Sequence, residues 1–398
     1  MRTQPQDVIA KLEADNSRLA KEKILLDAMN EGLDEFFEGL KMCLDKLYTF
    51  GVKQVPTKDE VVAGQGCPWN VFKDLAEKLY NRELTGHNAR DAINLVMSSA
   101  TAEQWNGFYR RILIKDLRCG VSEKTVNSVA KKNKFGKYMV PVFTCQLAHD
   151  SANHEKKLVG KKMLEVKLDG VRTLAIVHPD GKVDMLSRNG KEFTNFGHIQ
   201  DEISAVVKQD PPPYPLVLDG EVMSENFQDL MKQVHRKGSA DAKDAVLHLF
   251  DFIPLEEFKK GKWDKTQTLR TAMLKAWYQK HDTNLNAVRV LDHEIVNLDT
   301  PEGQKTYTEV NKRAVEGGYE GIMIKDLNAP YECKRSHAWL KLKPFIEVSL
   351  EIKATEEGTG RNVGKLGALI CEGVDDGKKI KTNVGSGLSD DNRDKFWE

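Results

Sequence analysis

Between residues 163 and 172 the chain reads MLEVKLDGVR. Leu164, Val166 and Leu168 alternate with Glu165, Lys167 and Asp169, the period of a strand with two unlike faces. One face is apolar; the other carries an acid, a lysine and an acid before Gly170 turns the chain and delivers Arg172. The same oddity recurs downstream. PLVLDGEVM sets Val217, Asp219 and Glu221 on one face, and HLFDF puts Phe250 beside Asp251. GYEGIMIKD runs from Glu320 to Lys325, and WLKLKP sets Leu340 and Leu342 against Lys341 and Lys343. A chain that repeats this pattern must build sheets with an apolar face against a core and an ionic face against something else.

An isolated lysine in such a strand is ordinarily a salt-bridged surface residue. Two lysines one strand-step apart repel unless they are well solvated or an anion lies between them. Paired carboxylates suit a divalent cation or a ribose hydroxyl, and an adjacent aromatic can stack on a base. Together these describe a nucleoside triphosphate site built without a Walker loop, since no GxxxxGK[ST] occurs. A lysine there can also be a nucleophile, if neighbouring cations and desolvation free its amine. Attack on an α-phosphorus would form a phosphoramidate and release pyrophosphate, with in-line geometry and magnesium stabilising the charge that develops.

The rest of the sequence frames that chemistry. With 398 residues there is room for two or three domains, and 60 basic residues cancel 60 acidic ones, so nucleic-acid binding must come from local patches. No run of about 18 apolar residues occurs and the N-terminus has no signal-peptide core, which predicts an intracellular protein without membrane association. Six scattered cysteines without a CxxC pair read as reduced thiols. Apolar residues from Ile9 and Leu12 through Leu19, Leu25, Met29, Phe36 and Leu40 to Leu47 recur at helical spacings. Thr101 and Gln104 stand at capping-box spacing. Ser122 can cap a further helix whose end is crowded by Lys131, Lys132, Lys134 and Lys137, with Lys124 near its start. Such a helix offers N–H groups and lysines to phosphates, although lysines near a C-terminus also simply complement the helix dipole. AHDSANHEKKLVGKK reads as a polar connector, and beyond Pro344 three strands joined by glycine-rich turns are expected.

KLDGVR resembles the KxDGxR signature of the covalent nucleotidyltransferases, which comprise ATP-dependent DNA ligases, RNA ligases and mRNA capping enzymes. It is followed in the family's order by SRNG (187 to 190), LDGE (218 to 221), LFDF (249 to 252), EGIMIK (320 to 325) and LKLK (340 to 343). The resemblance implies that Lys167 takes up AMP and that Glu165 reads the adenine amino group. It also implies that Arg172 and Arg188 handle phosphate and ribose, that Glu221 binds the ribose hydroxyl close to metal, and that Phe250 stacks on adenine. Glu320 would position Mg2+, and Lys341 and Lys343 would meet the phosphates of ATP. Asp169 and Asp219 are expected to be structural carboxylates bonded to backbone amides, and Gly170 to let the turn pass close to the nucleotide.

Arg172, the absence of zinc-type cysteines and some 140 residues of helical sequence ahead of the motifs point within that family to an ATP-dependent DNA ligase. LIKDLRCGVSEKTVN resembles the segment that ends the helical DNA-binding domain of such enzymes, and the whole chain is similar to the ligases of large tailed phages. The implied plan is multidomain α+β. A helical DNA-binding domain over 1–140 is followed by a mixed α/β, ATP-grasp-like nucleotidyltransferase domain over 141–343 and an OB-type β-barrel over 344–398. The chain stops at LSDDNRDKFWE, about half an OB domain past Pro344, so this third domain is expected to be incomplete. The implied partner is nicked duplex DNA, bound by a monomer that uses Lys124, Lys131, Lys132 and Lys134. Rival readings are an RNA ligase of the same superfamily and a nick-binding protein that cannot charge Lys167.

Overall fold

The computed structural model describes residues 2–225, 242–343, 348–375 and 377–398; Pro344, where the sequence changes texture, lies outside them. The chain separates into two units, Met1–Leu342 and Lys343–Glu398.

The larger unit begins with helices, chiefly Pro5–Ala14, Arg18–Glu31, Asp34–Leu44, Trp69–Tyr80, Gly86–Ser99 and Glu123–Lys132. Their apolar spacing makes one core: Ile9, Leu12, Leu25, Met29, Phe36 and Leu40 are each no more than 1% exposed. Leu19 departs from the pattern, at 77% exposed on the solvent side of its helix. The Thr101–Gln104 capping box forms in both directions, at 3.1 and 3.2 Å, and the chain then passes through a π-turn at Trp105–Tyr109. Three lysines point inward to helix ends, where carbonyls lack intrahelical partners. Lys21 Nζ donates to the carbonyls of Leu12 and Cys119, Lys58 to those of Met97, Ser98 and Ala100, and Lys115 to those of Met42, Asp45 and Tyr48.

Strands follow. They are β1 (Leu147–Asp150), β2 (Lys161–Lys167), β3 (Val171–Val177), β4 (Val183–Leu186), β5 (Leu216–Met223) and β6 (Val246–Pro254). The next six are β7 (Lys262–Trp263), β8 (Val288–Val290), β9 (Glu294–Asn297), β10 (Gly321–Asp326), β11 (Tyr331–Glu332) and β12 (Arg335–Leu342). Two five-stranded sheets result, in the orders β1-β12-β10-β2-β9 and β4-β3-β5-β6-β8. On the outside of the first, Leu164, Ile322, Ile324 and Leu340 pack against Val310 and Ala314 of helix Pro301–Glu316. On the outside of the second, Ala175, Leu218, Val222 and Leu247 pack against helices Gly197–Gln209 and Gln267–His281.

The inner faces meet through Leu174, Ile176, Val217 and Ile253 of the second sheet and Ala338 and Trp339 of the first. The ionic faces expected from the strand pattern are therefore turned toward each other. The stretch read as a polar connector begins within β1, an edge strand parallel to β12.

The smaller unit is an antiparallel meander of β13 (Glu351–Glu357), β14 (Leu366–Asp375) and β15 (Lys378–Val384), followed by helix Asp390–Trp397. Arg393 holds that helix to the sheet by donating to the carbonyls of Leu366, Gly367 and Gly385. No closed barrel forms among the described residues, and none of their helices is long and apolar enough to cross a membrane.

Candidate active site

Register decides which side chains share the inner face. Across β10, Gly321 pairs with Lys167, Met323 with Glu165 and Lys341, and Lys325 with Met163 and Trp339. Directly opposed residues project to one side of a sheet. Glu165, Lys167, Lys325, Trp339 and Lys341 therefore stand together, facing β3, β5 and β6.

Lys167 ends β2 and its ammonium meets the carboxylate of Glu320, which lies just before β10. Both side chains are about a quarter exposed, at 21% and 27%. Its ion-pair partner is thus an anion, not one of the cations that would free its amine. Glu221, opposite Arg172 on β5, accepts the Gly170 N–H at 3.0 Å. Burial raises its pKa, while that N–H, Arg172 and Lys167 act the other way. Gly170 is required by the strand behind it. A Cβ there would come within 2.2 Å of the Val222 carbonyl, so β5 alone already requires a glycine at this turn.

Glu165 is 4% exposed and paired with Lys325, itself 2% exposed. Burial raises the Glu165 pKa above the usual carboxylate value, and Lys325 pulls it back. The Lys325 ammonium also lies 4.7 Å from the centre of the Phe250 ring and 4.4 Å from that of Trp339. Phe250 occupies a β-bulge: β5 pairs Asp219 with Asp251 and then Gly220 with Leu249, leaving Phe250 without a partner. It meets Trp339 edge-on, with ring centres 5.7 Å apart.

Arg172 also lies against this aromatic pair. Its guanidinium grips Asp219 through two 2.7 Å bonds, donates to the Gln146 carbonyl at 3.0 Å and lies 5.2 Å from the Phe250 ring centre. Burial opposes its charge, but Asp219 holds its pKa well above the ordinary value. Asp219 also accepts the Tyr331 hydroxyl at 2.7 Å. It is thus structural, as expected, but it sits in mid-strand and bonds side chains, not turn amides. A second buried pair joins Asp251 to Arg270 at 2.9 Å, and Gln267 links Arg270 to the Trp339 indole N–H.

The remaining sequence candidates are more exposed than the buried pairs. Arg188 is exposed in the turn after β4, where Ser187 Oγ accepts the N–H groups of Asn189 and Lys191. Lys341 is half-buried on β12, and Lys343 is the first residue of the smaller unit. Lys124, Lys131, Lys132 and Lys134 are exposed on or just beyond helix Glu123–Lys132, which Ser122 caps, and carry no ion pair among the described residues. Sequence reading left Lys325, Trp339, Tyr331, Gln267 and Arg270 without roles. The signals were slight: Lys325 closed a motif, and Arg270 sat inside an amphipathic helix.

Residues 145–343 match the family model described as ATP dependent DNA ligase domain. The DNA ligase of Enterobacteria phage T4 is 24% identical over 355 residues, covering 78% of this chain and 69% of that one. The DNA ligase of Methanococcoides burtonii is 29% identical over 253 residues, 59% of this chain and 42% of its own length. A solved structure named Pmar-Lig_PreS3 is 60% identical, covers 99% of this chain and 90% of its own, and superposes with a TM-score of 0.63.

Proposed function

Because the chain belongs to the ATP-dependent DNA ligases, which seal 5′-phosphate/3′-hydroxyl nicks through a lysyl-AMP intermediate, we propose that Lys167 is the lysine that takes up AMP. The observation that carries this is its position: it ends an interior strand, part-exposed, with Glu320 and Glu221 beside it, Trp339 in the same face and Phe250 on the sheet opposite.

Glu320 holds the amine and is the group placed to take its proton. As the nitrogen–phosphorus bond to the α-phosphate forms, the bond to pyrophosphate breaks. Phe250 supplies a face for adenine, and the Glu165–Lys325 pair supplies charges for its edge. Arg172, fixed by Asp219, keeps Phe250 in place and offers its remaining donors to ribose or phosphate. Lys341, Lys343 and Arg188 would meet the phosphates. Glu221 and Glu320 form an oxygen donor set of the kind Mg2+ accepts, and that ion would neutralise charge developing on the phosphates.

AMP then passes to the 5′-phosphate of the nick, and the 3′-hydroxyl attacks with release of AMP. Residues 1–140, with Lys124, Lys131, Lys132 and Lys134, would bind duplex phosphates with little sequence preference. Residues 344–398 would be part of an OB-type domain, and the enzyme would work as a monomer in replication, repair or recombination.

The test is the intact mass after incubation with ATP and Mg2+, beside Lys167→Ala. A gain of one AMP in the parent alone supports the assignment; an equal gain in the variant overturns it. A parent that gains nothing yet seals a pre-adenylylated nick would restrict its activity to the later steps.

A further inference from the structure

Away from the nucleotide face, three imidazoles converge at the edge of the first sheet. His149 lies on β1, His154 follows the short 3-10 turn Ser151–Asn153, and His337 lies on the adjacent β12. Their ring centres are 4.2, 4.3 and 4.7 Å apart, and one ring nitrogen from each falls within 4.8 Å of the others. The sequence gives no hint of this: only the parallel pairing of β1 with β12 brings His337 to the other two.

We propose that His149, His154 and His337 form a binding site for a transition-metal ion of the Zn2+ class. Tetrahedral coordination at about 2.0–2.1 Å per bond spaces ligand nitrogens about 3.4 Å apart. The nitrogens, within 4.8 Å of one another, exceed that by at most about 1.4 Å, a distance that rotation of partly exposed rings can close. Imidazole nitrogens suit Zn2+, Ni2+ or Cu2+ and not Mg2+, so the site would be chemically separate from the carboxylates beside Lys167.

His149 and His154 are half-buried and His337 is exposed, which leaves a fourth position to water. Occupancy would tie β1 and the connector after it to the strand that carries Lys341 four residues on. The metal would thereby clamp the sheet edge without touching the chemistry.

The test uses the full chain, freed of any affinity tag and stripped with chelator, titrated with Zn2+ by calorimetry and with Co2+ by visible absorption. Expected are one ion per chain, a tetrahedral Co2+ spectrum and a raised melting temperature. His337→Ala and His154→Gln should each weaken binding at least tenfold, with far-ultraviolet circular dichroism confirming that both fold. His87→Ala, on the helix Gly86–Ser99, should bind like the parent. Binding that survives both site variants unchanged, or no binding by the folded parent, overturns the proposal.

Discussion

Replacing Lys325 by methionine keeps a long apolar side chain against Phe250 and Trp339 but strands the carboxylate of Glu165. Both partners are almost fully buried, at 2% and 4% exposed, so water cannot take over the lost charge. Glu165 then enters the fold protonated. Against an ordinary value of 4.5, a carboxyl kept protonated at pH 7 costs about 3.4 kcal/mol, and at pH 5 about 0.7 kcal/mol. Burial already raises Glu165 in the parent, so part of this cost is present there. The variant should be less stable than the parent by roughly 1–3 kcal/mol at pH 7, and by much less at pH 5.

The sign follows from proton counting. A group whose folded pKa lies above its unfolded one makes the unfolded chain bind fewer protons. Stability is then fully present below about pH 4.5 and falls as pH rises. Urea titrations of parent and variant at pH 5, 6, 7 and 8, with equal m-values, read the difference directly. Adding Glu165→Gln to the variant should abolish the pH dependence and recover most of the loss. A deficit that is the same at pH 5 and pH 7, or a double variant no better than the single, would refute the reasoning.

Glu320→Gln, which retains shape but not charge, should slow lysyl-AMP formation at least tenfold while leaving sealing of a pre-adenylylated nick much less affected, as single-turnover assays of the two steps would reveal. Neutralising Lys124, Lys131, Lys132 and Lys134 together should weaken nick binding uniformly across sequences. It should flatten the slope of log K against log salt by up to about 3.6, at about 0.9 per phosphate contact. His178, whose pKa burial pushes down to about 4, is bound to stay neutral in the fold; its contribution of up to about 3 kcal/mol is present above about pH 6.5 and lost as pH falls toward 4, so His178→Gln should flatten the acid limb of a stability–pH curve. Arg270→Met, which leaves Asp251 buried and unpaired, should cost about 3–5 kcal/mol in urea denaturation.

Much of the inner face was legible in the sequence because strands have a strict period of two. Alternation placed Glu165 with Lys167 and Asp219 with Glu221, and it sent Leu164 and Leu340 to the far side. It failed where that period breaks. The bulge at Phe250 adds a residue to β6, so counting along LFDF cannot say which way the ring points. Gly170 was recognisable as a necessary glycine, yet the reason for it, the Val222 carbonyl, lies some fifty residues downstream and exists only after β3 pairs with β5. Partners from separate elements were beyond reach for the same reason: Lys325 for Glu165, Tyr331 for Asp219 and Arg270 for Asp251. In the helical part, spacing found the core but also enrolled Leu19, whose position on the outer face depends on where its neighbours dock.

The lysines that cap helix ends give this protein a chemical clock. Lys21 and Lys58 are 7% and 6% exposed, so an acylating reagent can reach them only when a helix end opens. Lys115 is half-buried and, with its pKa pulled down to about 8 by burial, carries more free amine at neutral pH than an ordinary lysine. Its three carbonyl partners occupy that amine while the end of helix Asp34–Leu44 is intact. Under brief labelling, modification of these three residues therefore lags behind the surface amines, and each lag times the fraying of a different helix. A ligand that stiffens the helical part would lengthen all three lags together, and one that grips a single helix would lengthen only one.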